Sequence, residues 1–151
     1  MKSGRGPIVV GVDGSPDAAA ALEWAADMAQ QLDREVIAVH ALGLLSHLGA
    51  APEPAQAHRQ EIEAQLAGAW TQPLRAAGVT HHNEVDDGNP VMALLAAAAA
   101  HGAAMVVVGS RGTGGFAGLQ LGSTSHQLAQ HAPLPVVIVR HGSGQNGSGQ
   151  R

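Results

Sequence analysis

Short apolar runs alternate with segments of helical periodicity along most of the chain, and this alternation restricts the fold more than any other feature. Five runs are predicted to be strands: Ile8–Val12, Glu35–Leu42, Val79–Val85, Met105–Val108 and Pro135–Arg140. The fourth run is apolar at consecutive positions, which is typical of a parallel strand buried on both faces. The pattern therefore predicts an α/β fold, a single doubly wound open parallel sheet of five strands with helices on both faces.

Helix starts are marked by capping signals. Ser15-Pro16 and Asn89-Pro90 each place a capping side chain before a proline at the first helical position. The helices predicted from these signals and from apolar spacing run from Pro16 through Leu32, over Arg59–Ala77, from Pro90 to Gly102 and over Gly122–His131, and Gly43–Ala57 is predicted to be a loop.

The 151 residues suit one domain, which we expect over residues 7–141, between a flexible segment 1–6 and a disordered Gly/Ser/Gln tail 142–151. The chain has no cysteine, no apparent signal peptide and no apolar stretch long enough to span a bilayer. We therefore expect a cytoplasmic protein without a membrane partner. A net charge of −4, scattered basic residues and few aromatic residues argue against a nucleic-acid partner.

A glycine-rich loop follows the fourth predicted strand and ends at Gly122-Ser123-Thr124-Ser125, where a helix begins. Glycines let backbone N–H groups approach a ligand closely, and a helix N-terminus favours an anion. The hydroxyls of Ser123 and Ser125 add hydrogen-bond donors. Ligands of open parallel sheets bind where the strand order reverses, so Asp13, at the end of the first strand, should face this loop. The pattern predicts a phosphate site.

The same residues allow other interpretations. A Walker A loop is absent, because the single lysine, Lys2, lies far from the loop. A dinucleotide fingerprint fits poorly because Gly112-x-Gly114-x-x-Ala117 follows the fourth strand rather than the first. Asp13 could simply cap its own turn. A metal site at His81, His82, Asp86 and Asp87 is disfavoured, because adjacent strand residues face opposite ways.

The loop carries Gly109-x-x-Gly112, then nine residues, then Gly122-Ser123. This spacing resembles that of the ATP-binding members of the universal stress protein family. The resemblance covers Pro7–Arg140 and includes Ile8–Ser15, Val36–Leu42 and Pro133–Arg140. It implies a Rossmann-like fold of the adenine nucleotide alpha hydrolase type that binds ATP with Mg²⁺.

The resemblance also implies roles for individual positions. Asp13 would face the ribose or a magnesium ion. Gly11 and Val12 would line the adenine side of the cleft, and the backbone of Ala41 would contact the base. The residues implied to wrap the phosphates and ribose are Gly109, Gly112, Gly122 and Ser123, with Thr124 and Ser125 at the next two matched positions. Arg111 is assigned from its charge alone.

Three functions are compatible with this site. The leading hypothesis is a nucleotide-dependent regulatory module with a downstream protein partner that the sequence does not identify. A slow ATP hydrolase is the second, although the loop offers no lysine and Arg111 as its one cation. The third is a dimeric adaptor that binds no nucleotide, against which the intact glycine spacing argues.

The last predicted strand, 135–140, should lie at the edge of the sheet. It is apolar without a break from Val136 to Val139, and an exposed apolar edge invites pairing with another chain. We therefore predict a homodimer through this strand, as the family resemblance also implies. The alternative is that Pro135 and Arg140 protect the edge and the chain stays monomeric.

Overall fold

The computed structural model describes residues 6–43, 52–111 and 121–142. The strands in these ranges are β1 (Ile8–Gly11), β2 (Val36–Ala41), β3 (His81–Asp86), β4 (Met105–Gly109) and β5 (Val136–Val139). They form one parallel sheet in the order β3-β2-β1-β4-β5. The predicted α/β architecture and the edge position of the last strand are confirmed, and the strand order reverses between β1 and β4.

The helices are α1 (Pro16–Leu32), α2 (Pro52–Ala67), α3 (Gln72–Ala76), α4 (Pro90–His101) and α5 (Ser123–His131). The predicted caps of α1 and α4 are confirmed. The Ser15 hydroxyl accepts a hydrogen bond from the Ala18 N–H at 3.2 Å, and the Asn89 side chain accepts one from the Met92 N–H at 2.9 Å. Gly102 ends α4 in the left-handed conformation, with φ of 61°.

The core lies in two layers because successive strand residues point to opposite faces of the sheet. Val10 packs with Leu22 of α1 and Leu74 of α3 on one face. Val9 packs with Leu94 of α4 and Leu128 of α5 on the other. The central strands are almost fully buried, which explains their unbroken apolar sequence.

Two predicted boundaries are wrong. Residues 52–57 of the predicted loop Gly43–Ala57 are helical, while 44–51 lie outside the described residues. The helix predicted over Arg59–Ala77 is interrupted by a 3₁₀ turn, Ala69–Thr71. Side chains replace the lost helical hydrogen bonds at this break: the buried Thr71 hydroxyl donates to the Leu66 carbonyl, and Arg75 donates to the Gly68 carbonyl.

The predicted flexible segment 1–6 and tail 142–151 fall mostly outside the described residues, and the domain limits stay a prediction. Gly6 is described, and its carbonyl accepts a hydrogen bond from the Arg34 guanidinium at 3.0 Å. Within the described ranges, no helix combines the length and apolar character needed to cross a membrane.

Candidate functional site

Three strand ends meet at the carboxyl edge of the sheet, where the strand order reverses. β1 lies between β2 and β4 and pairs with both, through Gly11 with Val39 and through Val10 with Val107. Extending this parallel register brings Asp13 level with Ala41 on one side and with Ser110 on the other. The arrangement places the first turn, the end of β2 and the start of the glycine-rich loop around one crevice, the usual ligand position of such sheets.

Asp13 is half-buried at the turn between β1 and α1. Its Oδ1 accepts a hydrogen bond from the Ser15 N–H at 2.9 Å, so Asp13 does cap its own turn. Its other oxygen accepts no hydrogen bond from any residue that the structure describes. One carboxylate can therefore shape the turn with one oxygen and still offer the other to a ligand.

Gly11 and Val12 lie at the carboxyl end of β1, beneath the crevice. The backbone of Val12 is used within the fold, since its N–H donates to Val39 at 2.8 Å and its carbonyl lies 2.7 Å from His40 Nδ1. A Cβ on Gly11 would lie 3.3 Å from both Leu94 Cδ1 and Val108 Cγ1, so core side chains already fill the space beside this glycine. A ligand would therefore lie over Gly11 and Val12 rather than enter the space beside Gly11.

An aromatic pair borders the crevice beside Asp13. The rings of His40 and Trp70 have centroids 5.5 Å apart, and a Cβ on Gly14 would lie 2.7 Å from Trp70 Cζ2. Gly14 also has φ of 81°, so both its backbone and the close indole require glycine. Because the Val12 carbonyl can only accept, the His40 proton must be on Nδ1.

Ser110, the second residue of the glycine motif, joins the two ends of the glycine-rich loop. We call these ends, residues 110–111 and 122–125, the neck of the loop. Its N–H donates to the Val139 carbonyl at 2.8 Å, and its carbonyl accepts from the Gly122 N–H at 2.6 Å and the Ser125 hydroxyl at 2.7 Å. The Ser110 side chain is buried and donates to Asp17 Oδ2 at 2.5 Å. The two ends of the loop are thus joined directly, although Ser110 stands at a variable position of the motif.

The start of α5 has no side-chain cap from its own N-cap residue. Gly122 is buried at the capping position and supplies no side chain to satisfy the first N–H groups of the helix. Ser123 is exposed and Thr124 is half-buried, and their hydroxyls make no hydrogen bond with other described residues. Ser125 differs because its buried hydroxyl already donates within the loop neck.

The other motif residues have separate positions. Gly109 lies against α1, because a Cβ there would be 2.5 Å from the Asp17 carbonyl carbon. Arg111 has an exposed side chain, and its backbone N–H donates to Asp17 Oδ2 at 3.0 Å. Ala41 closes β2, half-buried on the α4 face. Gly112 lies outside the described residues.

Asp17 is the residue of this region that sequence reasoning missed. Burial alone would raise the pKa of its carboxyl, but hydrogen bonds from the Ser110 hydroxyl and the backbone N–H groups of His141 and Arg111, with the Arg111 charge, outweigh burial. The pKa of Asp17 is therefore below its ordinary value, and the side chain is an anion at neutral pH. No local signal reveals it, because its partners lie 93 or more residues away in sequence.

The histidines of β3 have partners other than a metal. His81 Nδ1 lies 3.1 Å from the Val79 carbonyl, and His82 Nε2 lies 3.7 Å from a Glu35 carboxylate oxygen. Asp86 accepts a hydrogen bond from the Gly88 N–H at 2.7 Å. Across the described part of the chain, no three His, Cys, Asp or Glu side chains come close enough to hold a metal ion.

Solved structures share this arrangement of strands and helices. A universal stress protein in complex with cAMP matches with a TM-score of 0.71 at 27% identity, over 91% of this chain and 98% of that one. A universal stress protein from Archaeoglobus fulgidus in complex with dAMP matches with a TM-score of 0.64 over 88% of this chain and 96% of that one. At 24% identity, the second match shows the fold alone.

Sequence relatives carry the same family name. A universal stress protein of Mycolicibacterium smegmatis is 34% identical over 139 residues, which are 90% of this chain and 46% of that protein. One of Mycobacterium tuberculosis is 37% identical over 142 residues, 89% of this chain and 44% of that protein. The chain thus spans about half the length of the curated relatives it matches. Since the model of the universal stress protein family also matches residues 4–140, the chain belongs to that family.

Proposed function

We propose that this chain binds an adenine nucleotide, ATP with Mg²⁺, and acts as a regulatory module whose dimeric state responds to the nucleotide. The proposal is supported by the strand-order reversal, where the register puts Asp13, with one unengaged carboxylate oxygen, level with Ser110. The Ser110 carbonyl accepts from the N–H of Gly122, the N-cap residue of α5, so the start of this helix lies at the same end of the sheet. A cation and an anion are the ligands that these two features attract, and a magnesium nucleotide combines them.

The described residues fit such a ligand. The unengaged oxygen of Asp13 would hold Mg²⁺ or a ribose hydroxyl, and the first N–H groups of α5 with the Ser123 and Thr124 hydroxyls would hold phosphate. Arg111 would add a positive charge. Ser125 would act through the loop neck rather than by direct contact, because its hydroxyl donates to the Ser110 carbonyl. The bound Mg²⁺ would neutralise phosphate charge.

The base would lie over the ends of β1 and β2, near the backbone of Ala41. Gly11 and Val12 would support it from below, and the His40–Trp70 pair borders the same region. The solved relative that is 27% identical was determined in complex with cAMP, which supports an adenine ligand here. A downstream protein partner would sense the nucleotide state.

We expect micromolar ATP affinity, about −8 kcal/mol. Isothermal titration calorimetry on protein freed of bound nucleotide measures it directly. Parallel titrations with AMP, cAMP and dAMP rank the phosphate requirement, and GTP tests the base. Flat titrations with all adenine nucleotides would contradict the proposal. Binding of AMP and ATP with equal affinity in the presence of Mg²⁺ would contradict the assignment of ATP.

Asp13→Asn separates a ligand role for Asp13 from its turn-capping role. Asparagine keeps an oxygen that can accept the Ser15 N–H but removes the charge, whereas Asp13→Ala removes both. Both variants should weaken Mg²⁺-ATP binding by roughly 1.5–3 kcal/mol, the value of a charged hydrogen bond. Asp13→Asn should retain the melting temperature, and Asp13→Ala should lower it.

The matched control is Asp27→Asn, which removes one exposed carboxylate from α1 away from the crevice. It should bind Mg²⁺-ATP like the unmodified protein. If Asp13→Asn binds Mg²⁺-ATP normally and Asp13→Ala has a lowered melting temperature, Asp13 caps its turn and has no role in binding the ligand. Repeating the titrations with EDTA tests the metal, because the penalty should shrink if Asp13 acts through Mg²⁺.

A further inference from the structure

Asp17 makes three long-range hydrogen bonds, more than any other acidic residue that the structure describes, and none of the roles implied by the family resemblance involves it. It lies in the first turn of α1. Its partners belong to two different structural elements, the neck of the glycine-rich loop and the residues just after β5.

The two carboxylate oxygens of Asp17 serve the two elements separately. Oδ2 accepts the Ser110 hydroxyl at 2.5 Å and the Arg111 N–H at 3.0 Å, both at the start of the loop. Oδ1 accepts the His141 N–H at 3.1 Å, just beyond the edge strand. A single rigid carboxylate therefore ties the loop neck to the end of β5, because a movement of either partner changes the geometry at the same group.

The backbone of Asp17 also packs closely against the end of β4. Gly109 has no Cβ, and one there would lie 2.5 Å from the Asp17 carbonyl carbon and 2.7 Å from its Cβ. The first turn of α1 thus rests directly on the end of β4. Ser110 extends the connection, since its carbonyl accepts from Gly122 and its N–H donates to Val139 of β5.

We infer that Asp17 is a positioning residue that sets the neck of the glycine-rich loop for nucleotide binding and transmits occupancy of the loop to the end of β5. The inference rests on the proposed function for the identity of the ligand. A nucleotide that draws Arg111 or Ser110 toward phosphate alters their hold on Oδ2, and the shared carboxylate carries this change to the His141 N–H on Oδ1.

Asp17→Asn is the most informative variant. Three donors converge on the carboxylate, but a carboxamide has one acceptor oxygen and an NH₂ group that would face a donor. Ser110→Ala is a milder second variant, because it removes one of the three donors and leaves the backbone contacts. Asp27→Asn is the matched control on the same helix, since the Asp27 carboxylate accepts a local hydrogen bond from Gln31 and none from any other residue that the structure describes.

Amide hydrogen exchange in nucleotide-free protein tests the positioning role by itself. The N–H groups of Arg111 and His141 should exchange at least about tenfold faster in Asp17→Asn than in the unmodified protein, while those of β1 and β4 stay unchanged. Asp27→Asn should show no difference. Unchanged exchange at both N–H groups in Asp17→Asn would overturn the positioning role.

Nucleotide titration followed by NMR tests the transmission. In the unmodified protein, Mg²⁺-ATP should shift the His141 N–H signal, and this shift should disappear in Asp17→Asn. ATP affinity should fall about tenfold in Asp17→Asn and less in Ser110→Ala, and the double variant should be non-additive, because the two side chains share one hydrogen bond.

The outcomes separate this inference from the proposed function. If the unmodified protein binds ATP but Asp17→Asn binds equally tightly and keeps the His141 shift, Asp17 has no such role and the proposed function stands. If the unmodified protein binds no ATP, the proposed function and the transmission both fall, and hydrogen exchange still decides whether Asp17 positions the loop neck. Equal ATP weakening in Asp27→Asn would also overturn the inference, because general charge would then explain it.

Discussion

Gly122→Val is expected to reduce ATP affinity at least about hundredfold, equivalent to about 2.7 kcal/mol, with little change in the far-ultraviolet circular dichroism spectrum. Gly122 is the N-cap residue of α5, and its N–H donates to the Ser110 carbonyl at 2.6 Å. Its φ of −75° and ψ of 174° are open to any residue, so backbone strain is not the reason. The loss should come from a branched side chain placed where phosphate must approach the N–H groups of α5.

Two further variants make this experiment interpretable. Ala129→Val adds similar bulk at an exposed position of the same helix and should leave binding intact. Gly122→Ala should give an intermediate loss, because its single methyl group obstructs less of the helix N-terminus. Calorimetry measures the affinities and thermal melting monitors the fold. Normal ATP affinity in folded Gly122→Val would show that the anion does not bind at the start of α5.

The α/β architecture and the edge position of the last strand were predictable from local sequence signals. Met105–Val108 is apolar at every position because β4 is covered on both faces, and such a run has few alternatives in an α/β chain. Ser15-Pro16 and Asn89-Pro90 marked helix starts because capping is a local interaction. The alternation of five strands with helices then indicated a doubly wound sheet, and in the structure β1 and β4 lie side by side where the strand order reverses.

Features that depend on distant contacts were not predictable. The prolines of α2, Pro52 and Pro54, read as loop residues, although proline is well tolerated in the first turn of a helix. The break after Gly68 depends on the Thr71 and Arg75 side chains, which satisfy carbonyls that a continuous helix would have used. The spacing of apolar residues alone does not show where side chains replace the hydrogen bonds of a helix.

The candidate site was likewise predictable only in the parts that depend on local sequence. Glycine spacing identified the loop, because a short motif carries the requirement for close backbone approach. It could not show that Gly109 also makes room for the first turn of α1. Nor could it reveal Asp17 or Ser110, whose contact spans 93 positions and exists only after the sheet has formed. The motif can therefore be recognised from the sequence alone, but the role of each of its residues can be assigned only from the fold.

The edge strand β5 provides the second large effect. β5 pairs with β4 on one side, and each of Val136–Val139 remains partly exposed. Val137 leans toward the α1 face and Ile138 toward the α4 face, so neither face alone accounts for the apolar sequence. A second copy, paired antiparallel about a two-fold axis, would use the free edge of the strand and cover both faces at once.

Val137→Asp is therefore expected to convert a homodimer into a monomer. The two-fold axis would bring the two introduced carboxylates close to each other in a desolvated interface, and such like-charge pairs cost several kcal/mol. Light scattering at micromolar concentration should give twice the chain mass of 15.2 kDa for the unmodified protein and the single mass for the variant. Met92→Asp is the control, because Met92 is 65% exposed on α4, away from this edge, and the substitution should leave the dimer intact. A single-chain mass for the unmodified protein would mean that Pro135 and Arg140, both exposed at the strand ends, suffice to protect the edge.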